Sequence, residues 1–150
     1  MPFAQKNDVI SNRKPAPTPA DCTLTVPAFT QNCVIADSAL NNVGVIGILP
    51  AGCLPKFASV DSLTGLGGTA AVSVGILNAA GTDISTDAAD GGAAWLTAQA
   101  VGTAAAGAIT RTAAMAKVQR STVDRKIAVK FTTAGSTAGD LTVNLGYSAN

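Results

Sequence analysis

The stretch "RKIAVKFTTAGSTAGDLTVNLGYSA", Arg125 to Ala149, contains two runs with one rhythm. Ile127, Val129 and Phe131 alternate with Lys126, Ala128, Lys130 and Thr132; further on, Leu141, Val143, Leu145 and Tyr147 alternate with Thr142, Asn144 and Gly146. Successive side chains of a strand point to opposite faces, so each run is predicted to be a strand with one buried face. "TAGSTAGD" between them supplies the small residues a connection needs, and the pair reads as an antiparallel hairpin.

Upstream the same signature repeats. "CTLTVPAF", "CVIADSAL", "VGVIGILP", "KFASVDSL" and "AAVSVGILN" are short β-like runs separated by Gly, Asn, Asp and Pro. Spacing of about ten residues is that of an all-β sandwich or barrel. No strand-helix-strand alternation argues for a parallel sheet. "DGGAAWLTAQAVGTAAAGAITRTAAMAKVQ" is ambiguous, because alanine favours helix while Gly91, Gly92, Gly102 and Gly107 oppose it. We read it as two strands, near Trp95–Val101 and Ala108–Met115, joined by "GTAAAG"; a turn or two of helix around Ala94 to Gln99 is the alternative.

Val43 to Leu49 is apolar on both faces, which suits a strand covered on both sides, either between two sheets or beneath a neighbouring subunit. Pro50 and Gly52 are expected to end it. The chain divides into a Pro-rich arm, residues 1–20, and a β-domain, residues 21–150. In the arm, basic and amide residues precede "PAPTPA", which favours an extended polyproline-type conformation. Asn12, Arg13, Lys14, Pro15 and Pro17 are its candidate partner contacts; a disordered tail is the alternative.

Charged residues make up only 13% of the 150, against about 25% in ordinary globular chains, and such a weakly solvated surface favours an assembled state. Charge is also segregated: residues 1–90 hold four basic and seven acidic side chains, residues 91–150 six and two. Arg111, Lys117 and Arg120 form a candidate basic contact patch, with Arg125, Lys126 and Lys130 near them in sequence. With one Trp, one Tyr and four Phe there are few platforms on which bases could stack, so an acidic protein surface is the expected partner rather than nucleic acid. Trp95 and Tyr147 are candidate core or interface anchors. Arg125 reads as a strand-edge charge.

The chain contains no His, which removes the commonest general base and metal ligand. "TDISTDAADG" carries Asp83, Asp87 and Asp90 but lacks an EF-hand pattern, and it reads as a solvated acidic loop. "LTGLGGTA", Leu63 to Ala70, lacks the Lys-Ser/Thr of a phosphate loop and reads as a tight turn. Cys22, Cys33 and Cys53 have no zinc spacing; buried thiols of a protein made in a reducing cytoplasm are expected, with a Cys22–Cys33 bridge as the alternative. We expect no enzymatic activity, no metal, no cofactor, and neither a secretory leader nor a membrane span.

Taken together, "VGVIGILPAGC", "AAVSVGILNAAGTDIS", "AWLTAQAVGTAAAG" and "STVDRKIAVKFTTAGSTAGDLTVNLGYSA" resemble, in this order and over roughly residues 40 to 150, the small decoration or cement proteins of tailed-bacteriophage heads. The resemblance implies a jelly-roll-like antiparallel β-sandwich with no catalytic residues. It also implies a protein made in the bacterial host's cytoplasm that sits on the outer surface of the virion. There it would bind the major capsid protein at capsomer junctions, as a dimer or trimer with itself. A fibre or tail-associated module involved in host attachment is the alternative function.

Overall fold

A computed structural model describes residues 24–149. Seven strands form two antiparallel sheets: β1 (Ala28–Cys33), β2 (Val43–Leu49), β3 (Leu54–Asp61), β4 (Ala71–Ile76), β5 (Leu96–Ala100), β6 (Arg125–Thr133) and β7 (Gly139–Ser148). One sheet has the order β1-β7-β3, the other β2-β6-β4-β5. Residues 105–110 run beside β3 and take an eighth strand position. They are tied there by reciprocal backbone hydrogen bonds of 2.9 Å between Ala58 and Thr110 and between Ser62 and Ala105. The winding is that of a jelly roll.

The expected β6–β7 hairpin does not form. β6 pairs with β2 and β4, and β7 with β1 and β3, so each is an interior strand of its own sheet. Residues 134–138 cross between the layers. Ile127, Val129 and Phe131 face Leu141, Val143, Leu145 and Tyr147 across a shared core, all fully buried. Either arrangement buries the same residues, which is why alternation alone did not separate them.

The "VGVIGIL" run is β2, an edge strand covered on both faces by its own chain. Inside, the ring of Phe29 on β1 lies so close that a Cβ on Gly47 would sit 2.5 Å from Phe29 Cδ2. Outside, residues 77–95 fold back over the sheet, where Val43, Ala128 and Ile84 form a second small cluster with Leu77 and Ala94. The strand ends as expected, in a turn closed by Cys53 N–H to Pro50 C=O, with Gly52 at φ 76°.

Two predicted strands are corrected. "CVIADSAL" contributes Cys33 to β1 and then forms a 3-10 turn, Ile35–Ser38, because the Asp37 carboxylate accepts the Val34 N–H at 3.0 Å and bends the backbone. The segment near Ala108–Met115 is paired only at Thr110; Thr112 then caps a short helix, α1 (Ala113–Lys117), by accepting the Met115 N–H. The strand predicted near Trp95–Val101 forms as β5.

Candidate functional site

The strand registers divide the sandwich into two ends of contrasting chemistry. The turn 50–53, the starts of β3 and β6, the end of β7 and the segments 87–91 and 112–124 gather at one end, the base. At the other end, the tip, lie residues 34–42, 62–70, 101–105 and 134–140.

At the base Arg125 leads β6 and is no loose edge charge. Its guanidinium donates to Asp90 Oδ1 at 3.1 Å and to the Gln119 carbonyl at 2.8 Å, tying the 87–91 turn to the segment after α1. Asp87 caps the 3-10 turn Ala88–Asp90 by accepting the Ala89 N–H at 2.8 Å, and Asp124 accepts the Ala51 N–H at 2.8 Å. Lys117, Arg120 and Lys126 are exposed on this end, and Arg120 donates to the Gly52 carbonyl at 3.1 Å. Arg111, the third member of the sequence-derived patch, is exposed next to Thr110 at mid-height of β3, so the patch extends up one flank.

The predicted acidic loop is engaged rather than loose. Lys130 donates to both Asp83 oxygens, at 3.0 and 2.8 Å. That hydrogen bond holds the Asp83 carboxyl below its ordinary range, although burial opposes it. The pair is half exposed and adds little stability. A shallow groove of about 470 Å³ lies beside it, between residues 83–94 and the outer face of the sheet, and is lined mainly by Ser, Thr and Ala.

The tip is built around Asp140. Its carboxylate accepts the N–H groups of Leu63 (3.0 Å) and Thr64 (2.8 Å) and the Thr64 hydroxyl (2.7 Å). Burial works to raise its pKa, but these hydrogen bonds prevail and hold it below the ordinary carboxylate value. The glycine-rich "LTGLGGTA" turn thus receives an anion from its own chain. Ser62 closes the loop, donating to the Asp140 carbonyl at 2.7 Å and accepting the Gly65 N–H at 2.9 Å. Around this clasp Ile35 (58% exposed), Leu40 (59%) and Leu63 (81%) project into solvent.

Trp95 and Tyr147, read from the sequence as core or interface anchors, lie in the core of the sandwich, 1% and 0% exposed; the indole N–H donates to the Asp90 carbonyl at 3.3 Å. Cys33 and Cys53 are buried free thiols, as expected. Burial, then the nearby charges of Asp37 and Asp140, push the Cys33 pKa up to about 12. Asn12, Arg13, Lys14, Pro15, Pro17 and Cys22 lie outside the described residues. Among the described residues no cluster of acidic, Cys or His side chains could hold a metal, and no helix is long and apolar enough to cross a membrane. Sequence reading missed the tip, because it assigned Ile35 and Leu40 to a strand core and Leu63 to the end of another. Their position beside Asp37, Ser38 and a glycine-rich turn was the available signal.

The fold has a counterpart among solved structures. A chain in a structure described as "Capsid of Ralstonia phage GP4" superposes with a TM-score of 0.73, covering 95% of this chain and 96% of that one at 20% identity. The likeness is one of fold. A chain of the "Cyanophage Pam1 capsid asymmetric unit" aligns with a TM-score of 0.45 at 14% identity, too low to carry an argument. No family model and no curated protein sequence matches this chain.

Proposed function

We propose that this protein is a non-enzymatic structural component of a bacteriophage virion. Within that class we read it as a decoration, or cement, protein bound to the outer surface of the major capsid shell at capsomer junctions. The observation that carries the reading is the jelly-roll likeness, over nearly the whole of both chains, to a chain of a phage capsid. The low charge density and the resemblance of residues 40 to 150 to head decoration proteins support the finer assignment. Individual contacts need not be strong, since repetition over an icosahedral lattice supplies avidity. The basic flank of Arg111, Lys117 and Arg120 is the proposed contact to acidic capsid surface, and Asn12 to Pro17 in the arm add reach.

The test is reconstitution. Purified full chain is added to capsids lacking it, and the particles are imaged by electron cryo-microscopy with bound copies counted by densitometry. Hundreds of copies across capsomer junctions, with particles more resistant to heat, are expected. Density confined to the tail would replace cement with the fibre reading. A chain lacking Met1 to Ala20 is expected to keep its β-fold and bind more weakly; undiminished binding would remove the arm from the proposal.

A further inference from the structure

The outermost strand of a sheet leaves one row of N–H and C=O groups without a neighbour, and natural chains guard such edges with charge, proline, a bulge, short length or a covering segment. Most described edges of this sandwich are guarded in that way. β2 carries a bulge between Val45 and Gly47, and β5 is five residues long with Ala98 at φ 49°. The far side of β3 is covered by residues 105–110, which are themselves irregular and pair only at Ala105 and Thr110. β1 has none of these devices. It runs in unbroken register along β7 from Ala28 opposite Asn144 to Cys33 opposite Gly139, and Thr25 extends it by a bridge to Tyr147. Residues 24–36 contain no Lys, Arg, Asp or Glu.

The direction of the free groups follows from the ladder. Thr25 and Tyr147 exchange both backbone hydrogen bonds at 2.9 Å, and the Pro27 carbonyl accepts the Leu145 N–H at 3.1 Å, so the odd-numbered residues of this strand address β7. Alternation along an antiparallel pair then turns the N–H and C=O of Val26, Ala28 and Thr30 to the open edge, where no described residue bonds to them. Pro27 lacks an N–H, but at an odd position it leaves this edge intact. Val26, Ala28, Thr30 and Asn32 are all exposed. Toward the tip the open edge stops at Val34, whose N–H is taken by Asp37.

We propose that two copies of this chain associate about a two-fold axis by pairing their β1 strands antiparallel, joining the two β1-β7-β3 sheets into one. The occupant is a second copy because the edge is its own complement: a two-fold contact uses the same surface on both partners, and an uncharged strand meets itself with no like charges opposed. The register follows from the free groups. With Ala28 on the axis, Val26 of each copy lies opposite Thr30 of the other and Leu24 opposite Asn32, so that every outward group of Val26, Ala28 and Thr30 finds a partner. The exposed side chains suit this register, small at the axis and β-branched on either side of it, and Leu24 and Val26, 51% and 50% exposed, gain cover. An edge contact is smaller than the about 800 Å² per partner of a standard interface, so the dimer is expected at about 0.1 mM and above, and it closes at two copies. This inference does not rest on the decoration reading, and its test uses no capsid.

Sedimentation velocity of the full chain from about 10 μM to about 1 mM should show monomer passing to dimer and to nothing larger. Ala28→Pro removes an N–H that β7 does not use, and Ala28→Lys sets two cations against each other on the axis; both change an exposed side chain, and circular dichroism checks that both fold. Each is expected to weaken the dimer at least about tenfold. Cysteine cross-linking in a Cys22→Ser background reads the register. Residues opposed in a hydrogen-bonded pair have Cα atoms about 5.5 Å apart, within disulfide reach, so Ala28→Cys should give a linked dimer under mild oxidation. An equal mixture of Val26→Cys and Thr30→Cys should do the same, whereas Thr132→Cys, exposed on the other sheet, should not. Wild type that stays monomeric throughout, a dimer that survives both Ala28 variants, or Ala28→Cys chains that fail to link would overturn the proposal. A dimer kept by both Ala28 variants but lost on deleting Met1 to Ala20 would give the contact to the arm instead.

Discussion

Replacing Asp140 with Ala removes the acceptor that holds the tip loop, and the structure sets the scale of the loss. Three donors converge on this carboxylate: the Leu63 N–H, the Thr64 N–H and the Thr64 hydroxyl. Hydrogen bonds to a charged group contribute about 1.5–3 kcal/mol each, but they are not additive. Leu63 and Thr64 are exposed, so water can satisfy part of what the carboxylate leaves. We expect a loss of about 2–4 kcal/mol at pH 7, and about half that for Asp140→Asn, which keeps an acceptor oxygen without the charge. For a chain of this size the alanine variant should melt roughly 5–12 °C lower. The folded-state pKa of Asp140 is depressed, so its contribution is fully present above the unfolded-state value near about 3.9 and disappears as pH falls through the folded-state value. Urea denaturation of wild type and Asp140→Ala between pH 7 and pH 2 should therefore show a gap that is constant above about pH 5 and narrows progressively below it. A variant as stable as wild type at neutral pH, or a gap that does not change with pH, would refute the reasoning.

Three further outcomes are expected. Phe131→Ala, in the interior strand β6, should cost about 3–5 kcal/mol, whereas Leu63→Ala should change stability by less than about 0.5 kcal/mol; urea midpoints compare them. The hydroxyls of Thr30 and Thr142 lie 2.9 Å apart, so a Thr30→Cys/Thr142→Cys pair should oxidise to a disulfide. Thr132→Cys/Thr142→Cys should not, and a peptide map reading the opposite would restore the hairpin. The Cys33 thiol, 2% exposed and with its pKa near 12, should resist alkylation at pH 8 until the protein unfolds, with peptide-resolved labelling as the measure; rapid native labelling would contradict the packing.

How far the chain discloses its own fold varies from element to element. β2, β3, β4, β5, β6 and β7 stand close to where alternation and turn residues place them, since both signals are local and act within a few residues. The 3-10 turn at Ile35–Ser38 and the helix at Ala113–Lys117 were hidden because single hydrogen bonds, from the Val34 N–H to Asp37 and from the Met115 N–H to Thr112, override a weak apolar pattern. The candidate surfaces divide in the same way. Arg111, Lys117 and Arg120 were visible as a cluster of like charge, whereas the tip exists only because β1, β3 and β7 bring Val34, Leu63 and Asp140 together.

The sequence by itself determined an all-β chain, the rhythm of its strands, the residues that face the core, and the low, segregated charge. Tertiary structure decided which strands are neighbours. A period of two states that one face of Arg125–Thr133 and one face of Gly139–Ser148 are buried, and a hairpin or two opposed sheets meets that condition equally. The choice falls to contacts distant in sequence: Phe29 packing on Gly47, Asp140 clasping Leu63 and Thr64, and residues 77–95 closing over Val43 and Ala128. Those same contacts leave the tip segments without Lys or Arg and gather most of the described cations at the base.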